Sequence, residues 1–154
     1  HVVSTDRVRK ELAGLSQDAQ AGPEAYTPEM KQRTYEVCLD RARAIVRSGG
    51  RALVDATFHT EERRRAFAGM ARDTGAAFAF LVCQAPDLVA RSRLAARGAD
   101  WSDADVAVFE QSLAAWEPVD SAQPGRYVVD SSGTRAEAVD NAIKQLRSTG
   151  LAGP

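Results

Sequence analysis

Short apolar runs alternate along the chain with longer segments whose apolar residues recur every three to four positions. The first pattern is typical of strands buried in a parallel sheet, and the second of helices that cover such a sheet. Four strands are predicted in this way: His1 to Ser4, Arg51 to Asp55, Ala76 to Cys83 and Arg126 to Asp130. The alternation predicts an α/β fold with a mostly parallel sheet that helices cover on both faces.

Capping residues and glycines give the predicted helices their bounds. The helices are expected from Thr5 or Asp6 to Gly14, from Thr27 to Arg47, from Thr60 to about Gly75, from Pro86 to Gly98, from Asp103 to Pro118 and from Thr134 to Leu146. Leu15 to Tyr26 shows little periodicity and is expected to form a loop long enough to have a functional role. We expect residues 1–147 to form one domain, with a lid region at about 86–118, and residues 148–154 to form a flexible tail.

Composition narrows the class of protein. The 154 residues are 44% hydrophobic and 27% charged, which is ordinary for a globular protein, and the net charge of −1 provides no overall field for nucleic acid or an anionic membrane. No apolar run approaches the roughly 20 residues of a membrane-spanning helix, and the first residues do not resemble a signal peptide. Cys38 and Cys83 have no metal-binding or redox spacing, so we expect two reduced, partly buried thiols and a cytoplasmic protein.

The first candidate site follows the first strand directly. Asp6 and Arg9 are three residues apart in a predicted helix and therefore share a face. A carboxylate can take the proton of a hydroxyl, and a guanidinium can hold an anionic group of a substrate. The same spacing also fits a helix cap beside a solvated arginine.

A second candidate lies at the end of the strand that closes with Asp55. Asp55 comes directly after an apolar run expected to be buried and is followed by the hydroxyl of Thr57. Open α/β sheets bind ligands at this edge, where an acid can hold Mg²⁺ through water or orient a substrate hydroxyl. A turn-forming aspartate is the alternative interpretation.

A third candidate is a pair of arginines, Arg93 and Arg97, one helical turn apart. Two aligned guanidinium groups can neutralise the charge of a phosphoryl group during its transfer. A solvated amphipathic helix explains the same pattern. The charged run from Glu61 to Arg65 is interpreted as a solvated helix start without chemistry, and His59 with Glu62 lacks the spacing of a helical zinc pair.

Five segments, in this order, carry a resemblance to a known family: STDRVRKEL, the helix from Thr27, LVDATF, RSRLAAR and SDADVAVFEQ. They resemble the part after the phosphate loop in P-loop kinases of the polynucleotide kinase and zeta-toxin type. The resemblance is closest to the ATP-binding domain that some bacterial proteins carry behind an aminoglycoside-phosphotransferase-like domain. It covers His1 to about Leu146.

The resemblance implies a role for each candidate residue. Asp6 would be the general base, Arg9 would anchor the substrate together with Arg7 and Thr57, and Asp55 would face the substrate or Mg²⁺. Arg93 and Arg97 would contact the phosphates of ATP. The turn Ser131 to Gly133 would lie near the adenine.

One part of the family pattern is missing from these residues. The sequence contains no G-x-x-x-x-G-K-[ST], the loop whose backbone and lysine hold the β- and γ-phosphates. In this family the strand before that loop lies in the middle of the sheet, between the strands that end here with Asp55 and Cys83. We therefore expect a P-loop kinase fold without its first, central strand and phosphate loop, in which both inner strand edges are unpaired and the isolated residues are inactive.

The leading hypothesis is an ATP-dependent phosphotransferase domain that uses MgATP to phosphorylate a hydroxyl of a small molecule or nucleotide. Its expected partners are ATP, an unknown hydroxyl acceptor and an aminoglycoside-phosphotransferase-like domain, fused or associated. A regulatory or interaction module with a kinase-like scaffold is the first alternative. A nucleic-acid 5′-hydroxyl kinase is the second, disfavoured by the neutral net charge and the 6% aromatic content.

Overall fold

One or two α-helices follow each strand in the computed structural model of the protein, which describes residues 1–96, 106–119 and 125–151. The strands are β1 (Val2–Ser4), β2 (Leu53–Asp55), β3 (Phe80–Gln84) and β4 (Arg126–Asp130). The helices are α1 (Thr5–Leu12), α2 (Pro28–Arg47), α3 (Glu61–Asp73), α4 (Asp87–Ala96), α5 (Val106–Ala114) and α6 (Arg135–Ser148). The predicted α/β class is confirmed.

The strands form two separate parallel pairs. β1 pairs with β2, with Ser4 opposite Asp55, and β3 pairs with β4, with Gln84 opposite Asp130. Within the residues that the structure describes, β2 has no second neighbour on its other side, and neither has β3. The sequence predicted unpaired edges on these two strands.

The described chain divides into two compact units. The first comprises residues 1–76 and 106–117, and the second comprises residues 77–96, 118–119 and 125–151. β1 and β2 therefore belong to the first unit, and β3 and β4 to the second.

The core of the first unit lies where α1 and α2 pack against β1, α2 packs against β2, and α3 packs against α2. Tyr35, Cys38 and Ala42, at helical spacing on α2, are buried. Tyr35 meets Phe58 edge to face at 5.8 Å, and Phe58 meets Phe67 at 5.0 Å. This aromatic row joins α2 to α3 through the loop that follows β2.

Burial separates the two cysteines. Cys38 is fully buried, and burial raises the pKa of its thiol to about 11. Cys83 is exposed on β3, so the expectation of two partly buried thiols is wrong for both residues. Neither forms a disulfide.

Three local predictions need correction. The expected loop contains a short 3-10 helix, Pro23–Tyr26, whose Ala25 is completely buried. β3 begins at Phe80 instead of Ala76, because the apolar run that predicted it is longer than the stretch that pairs with β4. Ser4, instead of Thr5 or Asp6, is the N-cap of α1.

The predicted caps of three helices are confirmed. Thr27 accepts a hydrogen bond from the amide of Met30 at the start of α2, and Thr60 accepts one at the start of α3. Thr134 forms a capping box with Glu137 at the start of α6.

Across the described part of the chain, no helix combines the length and the apolar character that crossing a bilayer requires.

Candidate active site

The carboxyl ends of β1 and β2 bring two of the predicted site residues to one edge of the first unit. Because Ser4 pairs with Asp55, α1 starts beside the tip of β2. The hydroxyl of Thr5 donates to the carbonyl oxygen of Asp55 at 3.2 Å and ties the helix start to the strand tip. Asp6 therefore follows one strand end and Thr57 follows the neighbouring one.

Asp6 and Arg9 form an ion pair on one face of α1, as their spacing predicted. Their side chains are 20% and 14% exposed, so the pair is partly shielded and is not a solvated arginine beside a cap. The guanidinium of Arg9 also lies over the ring of Tyr26, with its central carbon 4.7 Å from the ring centroid. The Arg9 Nε atom is buried and has no hydrogen-bond partner among the described residues. The pair thus offers one carboxylate and one held guanidinium at the strand edge.

The loop after β2 has a strained backbone. Phe58 has a φ of 47°, in the left-handed region that bulky residues rarely adopt. Its amide donates to the Tyr35 hydroxyl at 3.1 Å, and its carbonyl accepts from Arg64 Nη1 at 2.7 Å. Two side chains from two helices therefore hold this conformation, which exposes the neighbouring Thr57.

His59 connects this loop to α3. Its Nδ1 lies 3.2 Å from Thr57 Oγ1, and its Nε2 lies 3.4 Å from Arg63 Nη1. Burial, followed by the positive charge of Arg63, lowers the pKa of His59 below its usual value. This lowered pKa favours the neutral form of the ring.

Arg64 is the residue that sequence reasoning placed wrongly. It was expected on a solvated helix start, yet it is 1% exposed. Its guanidinium donates to Phe58 O at 2.7 Å and to Glu117 O at 3.0 Å, and its Nε contacts Glu61 Oε2 at 3.1 Å. It thereby joins α3 to the loop after β2 and to the segment after α5.

The segment after α5, which is distant in sequence, bonds to the loop after β2 and to the start of α3. The amide of Glu117 donates to His59 O at 2.8 Å, and its carboxylate accepts from the amide of Glu61 at 2.5 Å. The ring of Trp116 lies 5.6 Å from the guanidinium of Arg64. No local sequence pattern signals this return of the chain.

In the second unit, Arg93 holds the turn between β4 and α6. Its Nη1 donates to Ser131 O at 2.5 Å, and its Nη2 donates to Ser132 O at 3.1 Å and to Gly133 O. A cleft of about 520 Å³ opens beside this turn. Its lining residues are Arg93, Ser131, Gly133, Thr134, Arg135 and Ala138.

We expect Arg93→Ala to loosen this turn, because three backbone carbonyls lose their donor. The free energy of unfolding should fall by about 1 kcal/mol, since the freed carbonyls can bind water instead. Hydrogen exchange at the turn amides is expected to become faster. Arg91→Ala is the control, because Arg91 lies on the same helix and pairs with Asp87 of that helix instead. Equal exchange in the two variants would contradict a role for Arg93 in the turn.

The other predicted residues are placed as follows. Arg7 is exposed on α1, and Asp55 is exposed at the tip of β2. Arg97 lies outside the residues that the structure describes. The described residues contain no group of three or more side chains suited to hold a metal ion by themselves. A single exposed carboxylate such as Asp55 nevertheless fits Mg²⁺, which keeps several waters and is held by one or two carboxylates together with phosphates.

Comparison with known proteins places this fold in a family. A family model described as "AAA domain" matches residues 1–119. The chain belongs to the AAA domain family. No curated protein sequence matches this AAA domain chain.

Two solved structures resemble the chain over nearly all its length. A gluconokinase from Sinorhizobium meliloti 1021 matches with a TM-score of 0.66 at 16% identity, covering 97% of this chain and 78% of that protein. A tunicamycin resistance protein from Deinococcus radiodurans matches with a TM-score of 0.56 at 19% identity, covering 100% and 85%. At these identities the likeness shows the fold alone. The fold of this AAA domain is that of the P-loop kinases.

Proposed function

We propose that this AAA domain is the acceptor-binding part of an ATP-dependent phosphotransferase, which transfers the γ-phosphoryl group of MgATP to a hydroxyl of a small molecule or nucleotide. The observation that carries the proposal is the partly shielded Asp6–Arg9 pair at the carboxyl end of β1, next to the tip of β2. A general base must lie where the substrate can reach it, and Asp6 lies at the sheet edge where open α/β folds bind their ligands.

The chain's own residues would perform the acceptor side of the reaction. Asp6 would take the proton of the acceptor hydroxyl. The hydroxyl oxygen would then bond to the γ-phosphorus as the bond between that phosphorus and the leaving ADP breaks. Arg9, held by Asp6 and by the ring of Tyr26, would anchor the acceptor, with Arg7 and Thr57 contributing further contacts.

The nucleotide would be bound by other parts of the chain. MgATP supplies the phosphoryl group and the metal charge that stabilises its transfer. Asp55 would hold the magnesium through water, and the turn from Ser131 to Gly133 would contact the adenine in the cleft of the second unit. Among the described residues, Arg93 has no partner for two of its N–H groups beyond its three bonds to the turn, and together with Arg97 it would contact the phosphates.

The proposal requires a phosphate loop from outside the 154 residues, because none of them forms the motif. The test is therefore a screen of hydroxyl compounds with radiolabelled ATP and the full-length protein. We expect label to move to one chemical class of acceptor. Tight binding of ATP without transfer to any class would favour the non-catalytic kinase-like scaffold instead.

A further inference from the structure

Four polar side chains of the first unit form a connected group around Thr57, which we call the Thr57 cluster: Tyr35, Thr57, His59 and Arg63. Tyr35 comes from α2 and Arg63 from α3, while Thr57 and His59 lie in the loop between β2 and α3. The central carbon of the Arg63 guanidinium lies 4.1 Å from the centroid of the Tyr35 ring. Tyr35 is buried and His59 and Arg63 are half-buried, so Thr57 is the exposed member of the cluster.

The chemistry of Arg63 fixes the tautomer of His59. A guanidinium only donates hydrogen bonds, so His59 Nε2, which lies 3.4 Å from Arg63 Nη1, must be the acceptor. In a neutral imidazole the proton then lies on Nδ1. That nitrogen is 3.2 Å from Thr57 Oγ1 and donates to it.

The bonds of Tyr35 lead to the same hydroxyl. Its oxygen accepts from the amide of Phe58 at 3.1 Å, which leaves the phenolic proton to be donated. Thr57 Oγ1 lies 3.3 Å from the Tyr35 oxygen, and either hydroxyl can be the donor at this distance. If Tyr35 donates, the Thr57 oxygen accepts two hydrogen bonds, and its own proton is left for a partner outside the cluster.

The charges around His59 favour an anionic partner. Arg63, Lys31 and Arg64 place positive charge near its ring, against the negative charge of Glu117. The Glu117 carboxylate is engaged by the amide of Glu61. Asp55, two residues before Thr57, is the acid that the proposed function assigns to magnesium.

We propose that Tyr35 and His59 are positioning residues that keep Thr57 as a hydrogen-bond donor, so that the site selects acceptors carrying an oxyanion beside the hydroxyl that is phosphorylated. The oxyanion is a carboxylate or a phosphate. This inference rests on the proposed function, because it deepens the description of the same acceptor site. The arrangement itself can be tested without turnover.

The first test is the protonation of His59. The chain has only two histidines, so the His59 ring signals in a long-range proton–nitrogen NMR spectrum are those that disappear in His59→Asn. We expect a neutral ring with the proton on Nδ1 at pH 7.5. A proton on Nε2, or a cationic ring, would overturn the proposal.

The second test is anion binding at Thr57. Inorganic phosphate and acetate are titrated separately while the amide signals of Thr57 and its neighbours are followed. At least one of the two anions should shift these signals, and Thr57→Val should weaken its binding about tenfold, the loss of one hydrogen bond to a charged group. The anion whose binding is weakened more by Thr57→Val identifies the class of oxyanion that the site selects.

Conservative variants separate positioning from folding. Thr57→Ser keeps the hydroxyl and should bind like the wild type, and His59→Asn should bind better than His59→Ala because its amide can replace the Nδ1–H donor. Tyr35→Phe should bind less tightly than the wild type. Thr149→Val, which removes a hydroxyl on the other unit, is the control and should change nothing.

Two outcomes of the binding test would also overturn the proposal: neither anion shifts the Thr57 signals, or the binding is the same in Thr57→Val as in the wild type. Neither measurement uses ATP. If the acceptor screen detects no phosphotransfer, the NMR results are unaffected. If the NMR tests fail, the acceptor screen still tests the kinase activity.

Discussion

Replacing Arg64 with methionine is expected to lower the free energy of unfolding by about 3 kcal/mol. Methionine keeps most of the apolar stem but removes the guanidinium. The carbonyls of Phe58 and Glu117 then lose their donor in a place where the Arg64 side chain is 1% exposed and water cannot easily replace it. Glu61 also loses its ion pair with this residue.

Arg65→Met is the matched control for this prediction. Arg65 neighbours Arg64 and pairs with the same Glu61 carboxylate at 2.9 Å, but its side chain is 77% exposed. Exposed ion pairs contribute less than about 1 kcal/mol. Urea unfolding followed by circular dichroism measures both variants, and equal losses would mean that Arg64 is not a structural anchor.

Asp6→Asn in the full-length protein is expected to reduce the rate of phosphotransfer by about 10² to 10⁴-fold. Asparagine has nearly the same shape and can still accept a hydrogen bond from Arg9, but it cannot take a proton from the acceptor hydroxyl. ATP binding should stay nearly intact. The kcat for the acceptor found in the screen and the Kd for ATP are the two measurements.

The chain offers a close control for this variant as well. Asp40 and Arg43 form a second aspartate–arginine pair with the same three-residue spacing, on α2, where the Asp40 side chain is 71% exposed. Asp40→Asn should leave both transfer and ATP binding unchanged. If Asp6→Asn lost both to the same degree, Asp6 would be a structural residue and not a base.

The elements that could be predicted from the sequence are those that depend on local chemistry. Thr27 followed by proline, and Thr134 followed by Glu137, mark helix starts because the signal lies within one turn. The apolar run before Asp55 predicts a strand tip for the same reason. These local signals were enough to place Asp6 just after one strand and Asp55 at the end of another.

Contacts between distant segments could not be predicted in this way. Three consecutive arginines look alike in the sequence, and only the return of the chain at Glu117 buries Arg64 and leaves Arg65 exposed. Lys10 is a similar case: it lies on a charged helix but is 2% exposed, with its Nζ donating to Gln17 O at 3.0 Å.

The Thr57 cluster had one signal that could have revealed it. Tyr35 falls on the apolar face predicted for α2, and a buried tyrosine hydroxyl needs a hydrogen-bond partner. The sequence could not say that this partner would be the amide of Phe58 and the hydroxyl of Thr57, because both lie more than 20 residues away.

The left-handed backbone of Phe58 links the binding of a compound at this loop to the protease resistance of α2 and α3. Its amide is held from α2 and its carbonyl from α3, so the loop cannot change shape unless the spacing of those two helices changes. A small molecule that orders this loop should therefore slow the cleavage of both helices by proteases. Limited digestion could then reveal a compound bound at this loop before any reaction product is known.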